Sequence, residues 1–378
     1  MLPDVGSTIR LGKILGIEVG FNWSLIFIFA LVAWTLATAV LPPNVSGQPP
    51  LLYWLVGAIG AVLFYASLLA HELSHAVVAR RNGVKVAGIT LWLFGGVSQL
   101  EGEPASARSE ALIAGVGPLT SFVVAGIAIG IAVVIPGTNL ASVLFSWLGF
   151  VNILLGLFNL VPAFPLDGGR LLSSILWWRS GSRARGVHNA VRVGRVFAYL
   201  MIAAGVLGLF LGTGVSGIWI AFVGWFLLSA GAAEEAGSTI RTALRSVPVS
   251  AAMTSPVVTL PDWVTVETFL ESVAPNHSFT TYPVHDASGN LTGVVRLSDL
   301  VRMPAGERAE KHLKDVAHPI AGVPVTNPRE DLSALIGRIG GALEQRVLVF
   351  DGGQLVGIVS PADIARVIAG REAAGRAT

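Results

Sequence analysis

The sequence predicts a polytopic α-helical membrane protein with about six spans, followed by a soluble α/β region. Long apolar stretches fill roughly the first 235 residues, and after Glu234-Glu235 the composition changes to that of a soluble domain. Of the 378 residues, 53% are hydrophobic and 13% are charged, whereas soluble domains contain about 25% charged residues. The net charge of +2 gives no reason to expect a nucleic-acid partner, and the absence of cysteine excludes disulfides and thiolate metal sites.

Six stretches are long enough to cross the hydrocarbon core of a lipid bilayer, which is about 30 Å thick. They are residues 22–41, 51–79, 110–134, 141–161, 190–211 and 215–233. The charged residues before the first stretch lead directly into it without a small-residue cleavage site, so we expect no cleavable signal peptide.

Charge is distributed unevenly between the two sides of these spans. The loops that follow the odd-numbered spans, at 42–50, 136–140 and 212–214, contain no charged residue, whereas arginine and lysine collect on the other side. The positive-inside rule therefore predicts a multi-pass plasma-membrane protein with both termini in the cytoplasm.

The segment between the second and third spans, residues 84–100, is rich in β-branched and aromatic residues and is interrupted by glycine. It is too short to span as a helix, and we predict a β-hairpin that is buried against protein, because lipid-exposed strand edges are not tolerated. It is either a packed cytoplasmic hairpin or an edge that binds an extended strand by β-augmentation.

The second span carries the motif His71-Glu72-Leu73-Ser74-His75. Residues i and i+4 share one face of a helix, so both imidazoles can bind one metal ion, with Glu72 beside them to take a proton from water. The alternative is a buried polar network or a proton relay. Because an ionisable residue inside a span costs roughly 2.5–3.5 kcal/mol, three polar groups at ligand spacing favour a zinc hydrolase.

The depth of this motif follows from the cytoplasmic end of the span, which Arg80 marks. His71 lies nine residues before Arg80, which at 1.5 Å per residue places it roughly 13 Å inside the membrane. We therefore expect the metal within the bilayer but nearer the cytoplasm.

A third protein ligand is usual in catalytic zinc sites, and Asp167 is the best candidate. It follows the fourth span, which Pro162 and Pro165 break, and it precedes Gly168 and Gly169, which allow close approach of the backbone. A cap for a helix that begins at Gly168 is the alternative. The matching cytoplasmic depth favours the ligand role.

These residues resemble the site-2 protease family of intramembrane zinc metalloproteases. The resemblance covers roughly residues 10–235 and rests on both metal motifs, on Phe94-Gly95-Gly96 and on Gly115-Val116-Gly117-Pro118. It implies that His71, His75 and Asp167 bind Zn²⁺. It also implies that Glu72 is the general acid/base and that Asn159 is a polar residue of the catalytic site. The family often has asparagine where this chain has Ser121.

The soluble region contains an internal repeat with a period of roughly 64 residues. Residues 282–299 correspond to residues 347–363, and each unit is predicted to fold as helix, strand, turn, strand and helix. The two units resemble a tandem pair of CBS domains, at 246–305 and 312–371, after a membrane domain at 1–235. Such pairs fold together and often bind adenine nucleotides between the repeats.

The resemblance to CBS domains also implies a nucleotide motif of glycine, a hydroxyl residue and aspartate. The second repeat has Gly357, Ser360 and Asp363, whereas the first repeat has Asp299 but Arg296 in the hydroxyl position. The alternatives are that Ser360 and Asp363 only cap a helix, and that the pair serves as a homodimer interface without a ligand.

We therefore expect an intramembrane zinc endopeptidase that cleaves a membrane-spanning signalling or anti-sigma-type protein and is regulated by the CBS pair. The alternative is a CBS-gated metal-ion channel or transporter that uses the same buried residues as an ion site. Glu72 separates these hypotheses, because a protease needs a base beside its ligands and a conduction site does not.

Overall fold

The apolar stretches form membrane-length helices in the computed structural model, which describes residues 8–92, 95–212, 214–277, 279–339 and 346–376. Phe94 and Thr213, on which two of the sequence predictions fall, lie outside the described residues, as do residues 1–7. The chain divides into two compact units, Met1–Thr239 and Ile240–Thr378.

Six helical segments among the described residues are long and apolar enough to cross a membrane, which confirms the predicted number of spans. They are Ser24–Asn44, Pro50–Arg81, Ala107–Val134, Leu140–Asn159, Arg183–Phe210 and Val215–Leu244.

The first of these segments is interrupted. It begins as helix α1 (Ser24–Thr35), passes through a π-helical turn (Leu36–Val40) and ends as the short helix α2 (Leu41–Asn44). The other spans are α3 (Pro50–Arg81), α4 (Ala107–Val134), α5 (Leu140–Asn159), α7 (Arg183–Phe210) and α8 (Val215–Leu244). A further helix, α6 (Asp167–Ser180), lies between α5 and α7 and packs on α4 and α7.

Two β-hairpins form one mixed sheet in the first unit. Strands β1 (Thr8–Ile14) and β2 (Ile17–Asn22) precede α1, whereas β3 (Lys85–Trp92) and β4 (Gly95–Glu101) form the predicted hairpin between the second and third spans. The strand order is β1-β2-β3-β4, with β2 and β3 parallel and both hairpins antiparallel.

One face of this sheet packs on the C-terminal half of α3. Ile17, Ile89 and Leu91 are buried together with Ala76 of α3. Because Ala76 is one residue after His75, this packing brings the sheet to the level of the His-Glu motif.

The second unit contains two small cores, one for each repeat, which agrees with the predicted α/β region. Its first half comprises β5 (Leu260–Pro261), α9 (Val266–Thr268), β6 (Thr281–His285), β7 (Leu291–Arg296), α10 (Leu297–Arg302), α11 (Ala305–Arg308) and α12 (Leu313–Val316). Its second half comprises β8 (His318–Pro319), β9 (Val325–Thr326), α13 (Leu332–Arg338), β10 (Val347–Asp351), β11 (Gln354–Val359) and α14 (Pro361–Arg376).

The segment that precedes each repeat in the chain packs in the core of the other repeat. Leu244, Val249 and Ala252 lie in the core of the second repeat, and Thr254 pairs with Ile358 of β11. Conversely, Leu313 lies in the core of the first repeat, and β8 pairs with β7. Each core therefore depends on residues from both halves, which gives a physical reason for such repeats to fold together.

Candidate metal centre

The two histidines of the motif face each other across one turn of α3. His71 and His75 are only 2% and 8% exposed, and their Nε2 atoms lie 3.2 Å apart. The i, i+4 spacing predicted that the two side chains share a helix face, and the helix places them there.

Asp167 completes a group of three. It is the first residue of α6, and its Oδ2 lies 3.2 Å from Nε2 of His71 and 3.2 Å from Nε2 of His75. Among the described residues, these three side chains form a group of metal-binding type, with ligand atoms within 4.8 Å of one another.

The glycines that follow Asp167 allow this approach. A Cβ atom at Gly168 would lie 2.3 Å from Leu160 O, and a Cβ atom at Gly169 would lie 2.6 Å from the carbonyl carbon of Ala163. Because these neighbours are backbone atoms, a larger residue would separate the start of α6, and with it Asp167, from the loop that precedes the helix.

The hydrogen bonds to the rings define which nitrogen atoms are available. His75 Nδ1 lies 2.6 Å from Ile113 O, and since a carbonyl oxygen can only accept, Nδ1 carries the hydrogen and Nε2 keeps its lone pair. His71 Nδ1 lies 2.9 Å from Ser121 Oγ, which can accept in the same way. Such partners fix the tautomer and orientation of metal-binding histidines.

The donor set therefore fits a zinc ion. Two neutral imidazole nitrogens and a carboxylate oxygen are three acceptors facing one another, which is an unfavourable arrangement unless a cation lies between them. Two ligands of a tetrahedral zinc ion, with bonds of about 2.0–2.1 Å, lie about 3.3–3.4 Å apart. The observed separations of 3.2 Å are close to this geometry.

Helix α4 lies directly against the ligand atoms. A Cβ atom at Gly117 would lie 2.1 Å from His75 Nε2 and 2.7 Å from His71 Nε2. Glycine at position 117 therefore leaves the space in which a bound ion and its remaining ligands must lie.

Glu72 lies between α3 and the sheet. A Cβ atom at Gly96 of β4 would lie 2.2 Å from Glu72 Cγ and 2.6 Å from Glu72 Cδ. The start of β4 is therefore in contact with the residue that the sequence predicts as the general acid/base.

The hydrogen bond of the Asn159 side chain lies within α5 and does not reach His71, His75 or Asp167. Asn159 is the last residue of α5, and its side-chain amide donates to Leu155 O of the same helix at 3.0 Å. Its place in the catalytic site stays a prediction.

Sequence reasoning missed the part that Ser121 plays. It was noted only as a departure from the family pattern, yet it is fully buried and contacts His71 Nδ1. A buried hydroxyl at helical spacing from Gly117 could have indicated a partner for a ligand, because both residues lie on the same face of α4.

The candidate nucleotide residues of the second unit are engaged with one another. Asp363 Oδ2 accepts from the backbone nitrogen and the hydroxyl of Ser360, and its Oδ1 accepts from Thr254 Oγ1 at 3.0 Å. A Cβ atom at Gly357 would lie 2.5 Å from Met253 Sδ. These contacts cap α14 and join it to the segment that contains Thr254, so the capping alternative accounts for Ser360 and Asp363.

Asp299 occupies the corresponding position in the first repeat and pairs with His318. His318 Nε2 lies 2.9 Å from Asp299 Oδ2, and this hydrogen bond holds the pKa of Asp299 below its usual value. The Asp299–His318 pair of the first repeat is exposed, whereas the Thr254–Asp363 pair of the second repeat is part-buried.

Comparisons with known proteins agree with both parts of this architecture. Residues 59–146 and 138–202 match peptidase family M50, and residues 249–306 match the CBS domain. The chain is 43% identical over 364 residues to a Mycobacterium tuberculosis protein named zinc metalloprotease Rip3, which covers 95% of this chain and 92% of that protein.

Two relatives come from Methanocaldococcus jannaschii. Zinc metalloprotease MJ0392 is 29% identical over 364 residues, which is 96% of each chain. The solved structure of a site-2 protease from that organism is 30% identical, with a TM-score of 0.41, and covers 60% of this chain and 95% of that one. Because the mycobacterial relative is 43% identical over almost the whole length, this chain belongs to peptidase family M50, the site-2 protease family of zinc metalloproteases.

Proposed function

We propose that this zinc metalloprotease cleaves membrane-spanning proteins inside the bilayer, with His71, His75 and Asp167 as zinc ligands and Glu72 as the general acid/base. One observation carries the proposal. Two buried histidine nitrogens and a part-buried aspartate oxygen lie 3.2 Å from one another beside the C-terminal half of a membrane-length helix.

The chemistry is divided between the ion and Glu72. Zinc bound to the three side chains would polarise the scissile carbonyl and lower the pKa of a water ligand to about 7. Glu72 takes the proton of the attacking water and delivers it to the leaving amine, a role that contributes about 10²–10⁴-fold in rate. Ser121 and the carbonyl of Ile113 hold the two imidazoles in the orientation that binding requires.

The substrate must present an extended backbone to this group. An intact helix hides its carbonyls in internal hydrogen bonds, so the substrate has to unwind locally before cleavage. Strand β4 is an end strand of the sheet, and its residue Gly96 contacts Glu72. The edge of β4 therefore suits an unwound substrate strand, which would add to the sheet by β-augmentation beside the general base.

The proposed topology places the zinc ligands near the cytoplasmic side of the plasma membrane. Helix α3 ends with Arg80 and Arg81 in its last turn, and α7 begins with Arg183 and Arg185. By contrast, the connection between α4 and α5, residues 135–139, contains no charge. The positive-inside rule then puts both termini in the cytoplasm, where a cleaved signalling or anti-sigma-type protein could be released.

The second unit would regulate access to the catalytic residues. An adenine nucleotide bound through Gly357, Ser360 and Asp363, with Asp299 in the first repeat, or a homodimer formed through the CBS pair, would shift activity. It could do so only by its different affinity for two states of the enzyme. The motif supports this proposal, but the capping contacts of Asp363 would have to rearrange before it could bind ribose.

The test compares Glu72→Gln with wild type in nanodiscs for zinc content and for hydrolysis of a single-span protein. The variant should keep zinc and lose cleavage, because the ligands remain and the proton acceptor is gone. Glu18→Gln, which changes an exposed carboxylate of β2, is the matched control and should leave both unchanged. Near-normal turnover by Glu72→Gln would contradict the mechanism.

The same preparations separate the protease from the alternative, a CBS-gated metal-ion channel or transporter. Liposomes that contain wild type or Glu72→Gln can be assayed for zinc flux. Flux that persists in Glu72→Gln, with no hydrolysis by wild type, would favour the transport hypothesis.

A further inference from the structure

The hairpin β1–β2 carries apolar side chains that protein does not cover among the described residues. Ile9, Leu11 and Leu15 are 51%, 60% and 67% exposed. A soluble protein rarely leaves such a group of neighbouring apolar side chains in water, so the question is what covers this hairpin.

The pairing of the two strands shows which face these residues belong to. Ile9 lies opposite Phe21 and Ile14 lies opposite Ile17, and residues directly opposite in an antiparallel pair point to the same face. Ile17 is 1% exposed because it packs on α3, whereas Ile14 is 40% exposed. The apolar face of the sheet therefore continues beyond α3 through Ile9 and Ile14. Leu11, at the shift in register, and Leu15, in the turn, add exposed apolar side chains beside it. These four residues are called the apolar lip.

The opposite face of the same strand is basic. Arg10 lies opposite Gly20 and Lys13 lies opposite Glu18, so both cations point to the face opposite to Ile9 and Ile14. Lys13 Nζ lies 3.7 Å from Glu18 Oε1, which leaves Arg10 as the main basic group of the hairpin. An apolar face backed by a basic face is the pattern of elements that lie in a membrane interface.

Two anchors set the level of the hairpin along the membrane normal. A single residue, Trp23, separates β2 from the membrane-length segment that begins at Ser24, and its side chain is exposed. At the turn of the hairpin, Arg80 of the last turn of α3 donates to Leu15 O at 2.7 Å. Both anchors hold the hairpin where helices α1 and α3 leave the bilayer, and exposed tryptophan is typical of that level.

We propose that the β1–β2 hairpin is an interfacial anchor, whose apolar lip enters the leaflet at the Arg80 end of α3 while Arg10 binds anionic phospholipid headgroups. The lip is continuous with the face that packs on α3. Lipid beside α3 would therefore cover the lip in the same way as α3 covers the rest of this face. The outer edge of β1, which pairs with no further strand among the described residues, then lies at headgroup depth. Water and phosphate satisfy its backbone groups there, whereas in the hydrocarbon they would be unsatisfied.

The test uses single-cysteine labelling, because the chain contains no native cysteine. Leu15→Cys and Leu11→Cys are labelled with an environment-sensitive fluorophore, reconstituted in nanodiscs and exposed to phospholipid that carries a spin label near its headgroup. Leu31→Cys, at an exposed position of α1, is the control for lipid contact, and Ser288→Cys, in an exposed turn of the second unit, is the control for water.

Probes at positions 15 and 11 should lose most of their emission to the spin-labelled lipid, as the probe at 31 does, whereas the probe at 288 should keep its emission. The loss at 15 should be greater in phosphatidylglycerol than in phosphatidylcholine nanodiscs. Arg10→Gln should remove that difference, whereas Arg302→Gln, which changes an exposed arginine of α10, should not.

Emission at 15 and 11 that matches the probe at 288 would overturn the proposal. Equal quenching in both lipids, unchanged by Arg10→Gln, would overturn the assignment of Arg10 to anionic headgroups. The readout is the position of a probe and not hydrolysis, so the result does not depend on the proposed protease mechanism.

Discussion

Gly117 of α4 and His75 of α3 are in such close contact that a Cβ atom at position 117 would lie 2.1 Å from His75 Nε2. Position 117 also lies near Nε2 of His71. The two nitrogens that would bind zinc therefore lie next to the backbone of α4, at a position without a side chain. The space for the ion depends on the absence of a side chain from α4 as much as on the presence of the ligands.

Gly117→Ala should reduce zinc content strongly and abolish hydrolysis. The added methyl group must displace at least one imidazole, because helical backbone cannot move away without breaking its hydrogen bonds. Gly115→Ala is the matched control on the same helix, since a Cβ atom there would meet nothing within 4 Å. Metal analysis of the purified variants decides it, and full zinc retention in Gly117→Ala would show that the ligands lie elsewhere.

Ser121→Ala should weaken zinc binding about 10–100-fold, the usual effect of removing a hydrogen-bond partner from a metal-binding histidine. The variant leaves the His71 ring without the hydroxyl that lies 2.9 Å from its Nδ1. Competition with a chelator of known affinity measures the change. Thr120→Ala removes a neighbouring hydroxyl that donates to Val116 O of its own helix, and its zinc affinity should match wild type.

The sequence predicted the number of spans and the shared helix face of His71 and His75 because both leave local signals. A membrane span is a run of apolar residues, and His71 and His75 are four residues apart. Asp167 could be added from its surroundings, but its contact with the histidines depends on how α6 packs against α4. That packing is tertiary and has no signature in a single stretch of sequence.

The β1–β2 hairpin was not predicted, and its sequence shows why. Residues 10–18 were interpreted as a charged lead into the first span, and the pairing register shifts between Arg10 and Gly12, which breaks the alternation that indicates a strand. Helix α8 likewise continues to Leu244, beyond the predicted end of its span at 233. Hydropathy predicts where a helix leaves the membrane, but the helix itself can continue beyond that residue.

Gly96→Ala should lower kcat while zinc content stays normal. A Cβ atom at this position would overlap Glu72 Cγ, and since a glutamate side chain is flexible, it would move away from its working position without unfolding the sheet. Combining Gly96→Ala with Glu72→Gln provides the control. The reference is the residual single-turnover rate of Glu72→Gln, since loss of a general base lowers a rate about 10²–10⁴-fold. Because both changes act on one group, the double variant should be no slower than this residual rate, and a further loss would show that Gly96 acts independently of Glu72.

Arg183→Gln should destabilise the protein by about 1–3 kcal/mol, the cost of removing a hydrogen-bond partner from a buried group. The cost is below that of breaking a fully buried ion pair, because Arg183 is partly exposed. Arg183, the first residue of α7, donates from Nε to Glu110 Oε2 of α4 at 3.2 Å, and the two side chains are 19% and 8% exposed. The variant leaves the Glu110 carboxylate buried without this cation. The unfolding midpoint in detergent measures the effect, with Arg185→Gln, whose side chain donates to Ser180 O at an exposed position, as the control.

The exchange of both charges, Glu110→Arg with Arg183→Glu, should restore part of the lost stability. The rescue should remain partial, because Arg183 also pairs with Glu103 at 2.5 Å, and glutamate at position 183 would face Glu103 as a like charge. The exchange also places arginine in the first turn of α4, where the helix dipole disfavours a cation. Zinc content should follow the midpoint, since Glu110 lies one turn before Ile113, whose carbonyl orients His75. An exchanged protein no more stable than Arg183→Gln would mean that shape and hydrogen bonding, and not charge, hold α7 to α4.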